Sequence, residues 1–279
     1  MNPNANPYLP VPDYHMHTPR CHHAEGRVAD YARAALRAGL TEIGMSDHSP
    51  MPEGFTDDWR MAMSELDDYI AEVRAARDAF EGRLVIRLGL EADFRPGSEA
   101  AVAEMIRAHD WDYVIGSVHY IEGWDFDNPD KLREWDGRNI EDAWCDYFEL
   151  VAASARTGLF DIIGHPDLIK KFGHRAPADS RRVNAAMEAM LQAVREAGCA
   201  LEISSAGLRK PVGEIYPHPR MIRRAAELGI PFAFGSDAHK PADVGHAMDA
   251  CLSLLEECGV HEVCAFARRE RRMLNLRRR

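Results

Sequence analysis

The sequence is poor in several features that would narrow its function quickly. Its six cysteines (Cys21, Cys145, Cys199, Cys251, Cys258 and Cys264) are scattered over 279 residues without a CxxC pair. That excludes a zinc ribbon and a thioredoxin-like motif, and the thiols are expected to be reduced. No run approaches the roughly 18 apolar residues of a membrane-spanning helix. The opening MNPNANPYLPVPD has neither the basic start nor the apolar centre of a signal peptide, so the expected compartment is the cytoplasm, with no membrane partner. Basic excess is also missing: the net charge of -11 argues against a general nucleic-acid binder. The exception is the C-terminus, where RRERRMLNLRRR carries seven arginines and one glutamate. A solvated final strand or helix face with a frayed tail is expected there, over about 268–279. No internal repeat or low-complexity linker divides the chain. One large domain is expected over 1–279, with a short N-terminal extension at 1–12.

What the sequence does contain is alternation. Short apolar runs at 14–16, 42–45, 84–90, 113–118, 160–163, 200–203 and 231–234 read as strands. Between them lie helical patterns such as RVADYARAALRAG, MSELDDYIAEVRAARDAF and SRRVNAAMEAMLQAVREAG, several ending at a glycine (Gly39, Gly158, Gly198, Gly229). Seven strands joined by helices predict an α/β fold with parallel strands and right-handed crossovers, in a doubly wound sheet or a closed barrel.

Polar residues at the strand ends decide between the two. Successive apolar runs are followed by His15 and His17, Asp47 and His48, Glu91, His119, His165, Glu202 and Ser204, and Asp237 and His239. A lone histidine after a strand is usually a satisfied structural residue. Seven strands delivering similar chemistry to one rim instead indicate a metal cluster, and favour the barrel, whose site is assembled from many strand ends. In HxH the imidazoles stand two positions apart and point the same way on a strand. A carboxylate such as Glu91 can bridge two ions about 3.5 to 4 Å apart. Imidazoles with few carboxylates suit zinc, iron or manganese better than magnesium. Cys21 is expected to be a bystander.

HMHTPRCHHAEG, GMSDHSPMP, GLEADFRPG, GSVHYIEGW, GHPDLIKKFG, SSAGLRKP and GSDAHKPADVG, in this order, resemble the polymerase and histidinol phosphatase (PHP) family, and more closely its histidinol-phosphate phosphatase branch. The resemblance runs from about Asp13 to at least Gly245. It implies a distorted (β/α)7 barrel with three divalent metal ions at the C-terminal strand ends. It assigns His15, His17, Glu91 and Asp237 to a first site, and Glu91, His119 and His165 to a second. His48, His239 and one histidine of the first loop go to a third. In relatives that loop histidine stands six positions after the second histidine of HxH, before a small residue, which selects His23 over His22. Asp47 then becomes a partner that orients a ligand.

The implied activity is metal-assisted hydrolysis of a small phosphate monoester, L-histidinol phosphate, in histidine biosynthesis. Asp237 would accept the proton of the attacking water, and His239 is a candidate donor to the leaving group. Arg209, Lys171 (or Lys170) and Arg60 are candidates for the phosphate, and Asp93, then Glu122, for the substrate ammonium; Tyr120 or Trp124 could cover its imidazole. Rival readings are a superfamily phosphoesterase acting on another ester or on nucleic acid, disfavoured by the acidic balance, and an amidohydrolase, which would place a lysine where GSVH stands. A non-catalytic module is disfavoured because every expected ligand position is filled.

Overall fold

The computed structural model describes residues 11–51, 55 and 57–276. Most of the N-terminal extension and the final three arginines lie outside them. Among the described residues the strands are β1 (Glu42–Met45), β2 (Val85–Asp93), β3 (Tyr113–Ser117), β4 (Tyr120–Ile121), β5 (Trp124–Asp125), β6 (Ile162–Ile163), β7 (Ala200–Ser204), β8 (Phe232–Gly235), β9 (Glu262–Ala267) and β10 (Glu270–Asn275). The helices are α1 (Val28–Ala38), α2 (Leu66–Ala79), α3 (Glu99–Arg107), α4 (Ile140–Arg156), α5 (Arg181–Ala197), α6 (Pro219–Glu227) and α7 (Met248–Glu257).

Local chemistry sets the helix ends. Asn139 caps α4 by accepting from the Glu141 and Asp142 N–H groups, and Ser180 caps α5 through Val183 N–H. At the other ends, α1 and α5 stop at Gly39 and Gly198 in the left-handed conformation a side chain disfavours.

Six strands form one parallel sheet in the order β1-β2-β3-β6-β7-β8, curled as in a distorted barrel. The expected strand at 14–16 is a stave of another kind. It makes single bridges on both sides, Asp13 with Ile43 of β1 and Met16 with Ala238 beyond β8. Gly44 N–H donates to Asp13 O on one flank, and Tyr14 N–H donates to Phe234 O on the other. A stretch that divides its hydrogen bonds between two neighbours closes the gap between first and last strands without building a regular ladder. Strand β2 also runs further than the apolar pattern suggested, so Glu91 and Asp93 lie within it.

The opposite end of the barrel is filled by aromatics and by β9. Tyr14, Tyr113 and Phe266 pack with Ile115, Ile162 and Ala233. The Tyr113 hydroxyl donates to Tyr14 O at 2.6 Å, and Phe266 N–H donates to the Tyr14 hydroxyl. Room for Tyr113 comes from two glycines: a Cβ on Gly89 would lie 2.3 Å from its Cζ, and one on Gly44 2.2 Å from its Oη. Gly89→Ala is therefore expected to destabilise the fold by about 3 kcal/mol through overpacking. The check is a lower denaturant midpoint at unchanged slope; an unmoved midpoint would show that the ring can step aside.

The described part of the basic C-terminus is the solvated strand β10, paired antiparallel with β9. Its arginines are tied down: Arg269 pairs with Asp161 and Arg272 with Glu42, across the barrel end remote from the strand-end histidines.

Candidate metal centre

The C-terminal strand ends converge on one buried cluster. His15 and His17 stand two apart on the closing stave, both fully buried, with ring centroids 5.1 Å apart. Glu91 comes from β2, His48 from the turn after β1, and His119 and His165 from the turns after β3 and β6. Asp237 and His239 follow β8, and His23 follows the short turn Pro19–Cys21. Asp237 has a φ of 51° and His165 of 21°, conformations a non-glycine residue rarely adopts, so packing holds both side chains against local strain.

Glu91 divides the cluster. Its Oε2 lies 3.1 Å from His15 Nε2, 3.6 Å from His17 Nε2 and 3.0 Å from His48 Nδ1. Its Oε1 lies 3.0 Å from His165 Nε2 and 3.7 Å from His119 Nε2. Asp237 Oδ1 completes the first side, 3.1 Å from His17 Nε2. Donors held about 2.1 Å from one tetrahedral ion stand about 3.4 Å apart, which is the spacing seen on both sides of Glu91. Toward the mouth the His23 and His239 rings stack with centroids 4.5 Å apart, and His48 lies 5.6 Å from His23.

Hydrogen bonding supports the fit to metal. His15 Nε2, His48 Nδ1, His239 Nε2 and Glu91 Oε2 are buried without a hydrogen-bond partner. A carboxylate oxygen ringed by imidazole nitrogens it does not bond to is a poor arrangement unless a cation is shared among them. Several far ring nitrogens are anchored: His15 Nδ1 by Glu202 at 2.6 Å, His119 Nδ1 by Asp93 at 2.7 Å, and His23 Nδ1 by Cys21 O at 2.6 Å. Asp47 Oδ1 stands 3.5 Å from His17 Nδ1. Anchors of this kind fix the tautomer and aim the other nitrogen.

The electrostatics of the pocket agree. Burial opposes charge on His15, yet Glu202, Glu91 and Asp237 outweigh it and raise its pKa well above the usual value. Burial alone would raise the Glu91 pKa, but the surrounding imidazoles, His48 and His15 foremost, hold it far below the usual carboxylate range. The floor is thus an acidic field that favours cations. At the mouth, burial and then His48 and His17 push His23 down to about 3, leaving a neutral donor.

Comparison with known proteins settles the family. A model described as PHP domain matches residues 13–206, and one described as PHP-associated matches 217–248. The chain belongs to the PHP family. A Deinococcus radiodurans protein named "Probable histidinol-phosphatase" is 48% identical over 247 residues, 88% of this chain and 93% of its own. The "Histidinol-phosphatase" of Bacillus subtilis is 32% identical, over 88% of this chain and 98% of its own. The crystal structure of Lactococcus lactis histidinol phosphate phosphatase, complexed with zinc, L-histidinol and phosphate, covers 94% of this chain and 98% of its own with a TM-score of 0.78. At 20% identity that likeness is one of fold.

Above the histidine cluster the PHP barrel opens into a cavity of about 400 Å³, a size suited to a small metabolite. It is lined by His23, His48, Glu91, His119, His165, Asp237 and His239 below, and by Arg60, Lys171 and Arg209 on its walls. Arg209 donates through Nη2 to Ser236 O and Asp237 O, while its Nη1 has no partner. Lys171 is shared with Asp127 at 2.8 Å.

Several of the expected substrate contacts are engaged by other groups of the protein. Asp93 is not available to an ammonium: it is 1% exposed and off the cavity wall, with one oxygen on His119 and the other 2.5 Å from Arg60 Nη1. Arg60 reaches the cavity but spends its Nε on Asp57 and its Nη1 on Asp93, so it braces the wall more than it offers a free fork. Trp124 is buried against Trp135 and does not line the cavity, whereas Tyr120 does. Lys170 is 2% exposed and paired with Asp167, away from the cavity.

The sequence reading missed Lys210, Asp125 and Asp127, all on the wall. Lys210 has its pKa lowered by burial, with Lys171 and Arg209 acting in the same sense, so it gains from an added anion. Its place beside Arg209 in GLRKP was the available signal.

Proposed function

We propose that this chain is a metal-dependent histidinol-phosphate phosphatase, converting L-histidinol phosphate and water to L-histidinol and phosphate. The observation that carries the reading is the pairing of a Glu91-centred metal floor with a wall bearing Lys171, Arg209 and Lys210. Full-length relatives named for this activity support the substrate.

The donor set suits three divalent ions of zinc, iron or manganese, and the zinc bound by the Lactococcus lactis protein favours zinc. His15, His17, Glu91 and Asp237 would hold one, Glu91, His119 and His165 a second, and His23, His48 and His239 a third. When bound, such ions supply Lewis-acid charge, lowering the pKa of a coordinated water and offsetting charge on the phosphoryl oxygens.

The chain's own groups do the rest. Arg209, Lys210 and Lys171, all on the cavity wall, orient the phosphate dianion by charge-assisted hydrogen bonds. Asp237 stays ionised, because His15 and His239 outweigh the effect of its burial, and it accepts the proton of the attacking water. His239, with its Nδ1 3.3 Å from Asp237 Oδ1, is the candidate to pass that proton on to the leaving oxygen. On the cavity wall the carboxylate of Asp125, with Asp127 beside it on Lys171, takes the place of Asp93 as the candidate ammonium partner. One barrel domain acting on a small molecule in the cytoplasm, rather than on nucleic acid, completes the proposal. No helix among the described residues is long and apolar enough to cross a membrane.

The test is phosphate release by metal-reconstituted protein from L-histidinol phosphate, generic monoesters and a dinucleotide diester. A preference of at least about tenfold in kcat/KM for L-histidinol phosphate, roughly 1.4 kcal/mol, is expected. A generic monoester within that margin, or a preferred diester, overturns the assignment.

A further inference from the structure

Glu202 is 1% exposed, lies in β7, and makes a second contact besides the one that anchors the His15 ring. Each of its oxygens meets a different ligand-bearing strand end. Oε1 lies 2.6 Å from Nδ1 of the His15 ring, and Oε2 accepts from the main-chain N–H of His165 at 2.7 Å. The His165 peptide is gripped from the other side by the Tyr147 hydroxyl, which donates to His165 O at 3.0 Å. That grip holds a histidine whose φ of 21° is not one it would choose. The neighbouring strand keeps the space clear: a Cβ on Gly235 would lie 2.0 Å from Glu202 Oε1 and 2.7 Å from His15 Cβ.

We propose that Glu202 is a positioning residue that couples the two metal sites sharing Glu91, aiming the His15 ring at one and fixing the His165 backbone at the other. The inference rests on the metal-centre reading. When Nε2 of His15 faces an ion, its Nδ1 carries the proton and must donate, and the His165 N–H can only donate. Two donors from two strands therefore require two acceptor oxygens on one rigid side chain. Among the described residues, the Asp93 carboxylate by contrast hydrogen-bonds to His119 and Arg60.

Glu202→Gln separates this role from packing. The amide has the same shape but only one acceptor, and its NH2 group faces a donor. Zinc is titrated into apo protein, wild type and variant, against a chromogenic chelator; apo-protein melting is recorded alongside, and kcat is followed as zinc is raised. The expected result is an affinity about 10- to 100-fold weaker for two ions, the range for losing a partner that orients a ligand. Apo melting should stay unchanged, and kcat should recover substantially at excess zinc. Superimposable titrations overturn the inference. So does a fall in apo melting that accounts for the lost affinity, since the carboxylate would then serve barrel stability. Wild-type protein that takes up no zinc defeats the metal-centre reading itself, a distinct outcome.

Discussion

Glu91→Gln is expected to lower turnover of L-histidinol phosphate by about 10³-fold, corresponding to about 4 kcal/mol of transition-state stabilisation. The size follows from position. Glu91 is the one group whose two oxygens face both histidine sets, His15, His17 and His48 on one side and His119 and His165 on the other. A neutral amide removes a full negative charge from a site that is 1% exposed, where solvent cannot replace it. It also presents an NH2 group to one set. Two ions should be lost or greatly weakened together, read by metal analysis of dialysed protein beside kcat/KM. Retention of both ions with activity within tenfold of wild type would show that Glu91 does not bridge.

The residues that gather at this cluster were legible because most of them follow an apolar run, so period and position carry the signal; His23, which follows the Pro19–Cys21 turn, does not. Contacts between distant segments were not legible. Asp93 looked free because its partners, His119 and Arg60, stand 26 and 33 residues away, and only the fold brings them to its two oxygens. The closing stave, read as a strand at 14–16, divides its hydrogen bonds between β1 on one flank and β8 with the turn after it on the other, because it spans the seam of the sheet.

The terminal hairpin escaped for a different reason. Its turn is Arg268-Arg269, both at positive φ, where a hairpin ordinarily advertises itself by Asn-Gly or Asp-Gly. That turn is held instead by Asp112, which accepts from both arginine N–H groups, and by the Arg269 pair with Asp161. Without those partners in view, the segment reads as a solvated strand or helix face with no sign of what it pairs with.

His23→Ala is expected to empty one metal site and cut turnover by about 10²-fold, while His22→Ala should change neither by more than about twofold. The two neighbours differ in where their rings are tied. His23 Nδ1 meets Cys21 O at 2.6 Å, which sets it as the protonated nitrogen and leaves the Nε2 lone pair free for the cavity, where the His239 ring is 4.5 Å away. The surrounding protein, with the His48 and His17 rings, lowers the His23 pKa to about 3 and so favours the neutral imidazole. His22 caps the Pro19–Cys21 turn at a φ of 65° and has its Nδ1 3.2 Å from Asp58 O, off the cavity wall. Metal content and kcat measured on the two variants decide the register: loss of an ion on replacing His22, with His23→Ala unaffected, would exchange their roles. Loss on replacing either would mean that the loop as a whole, rather than one imidazole, closes the third site.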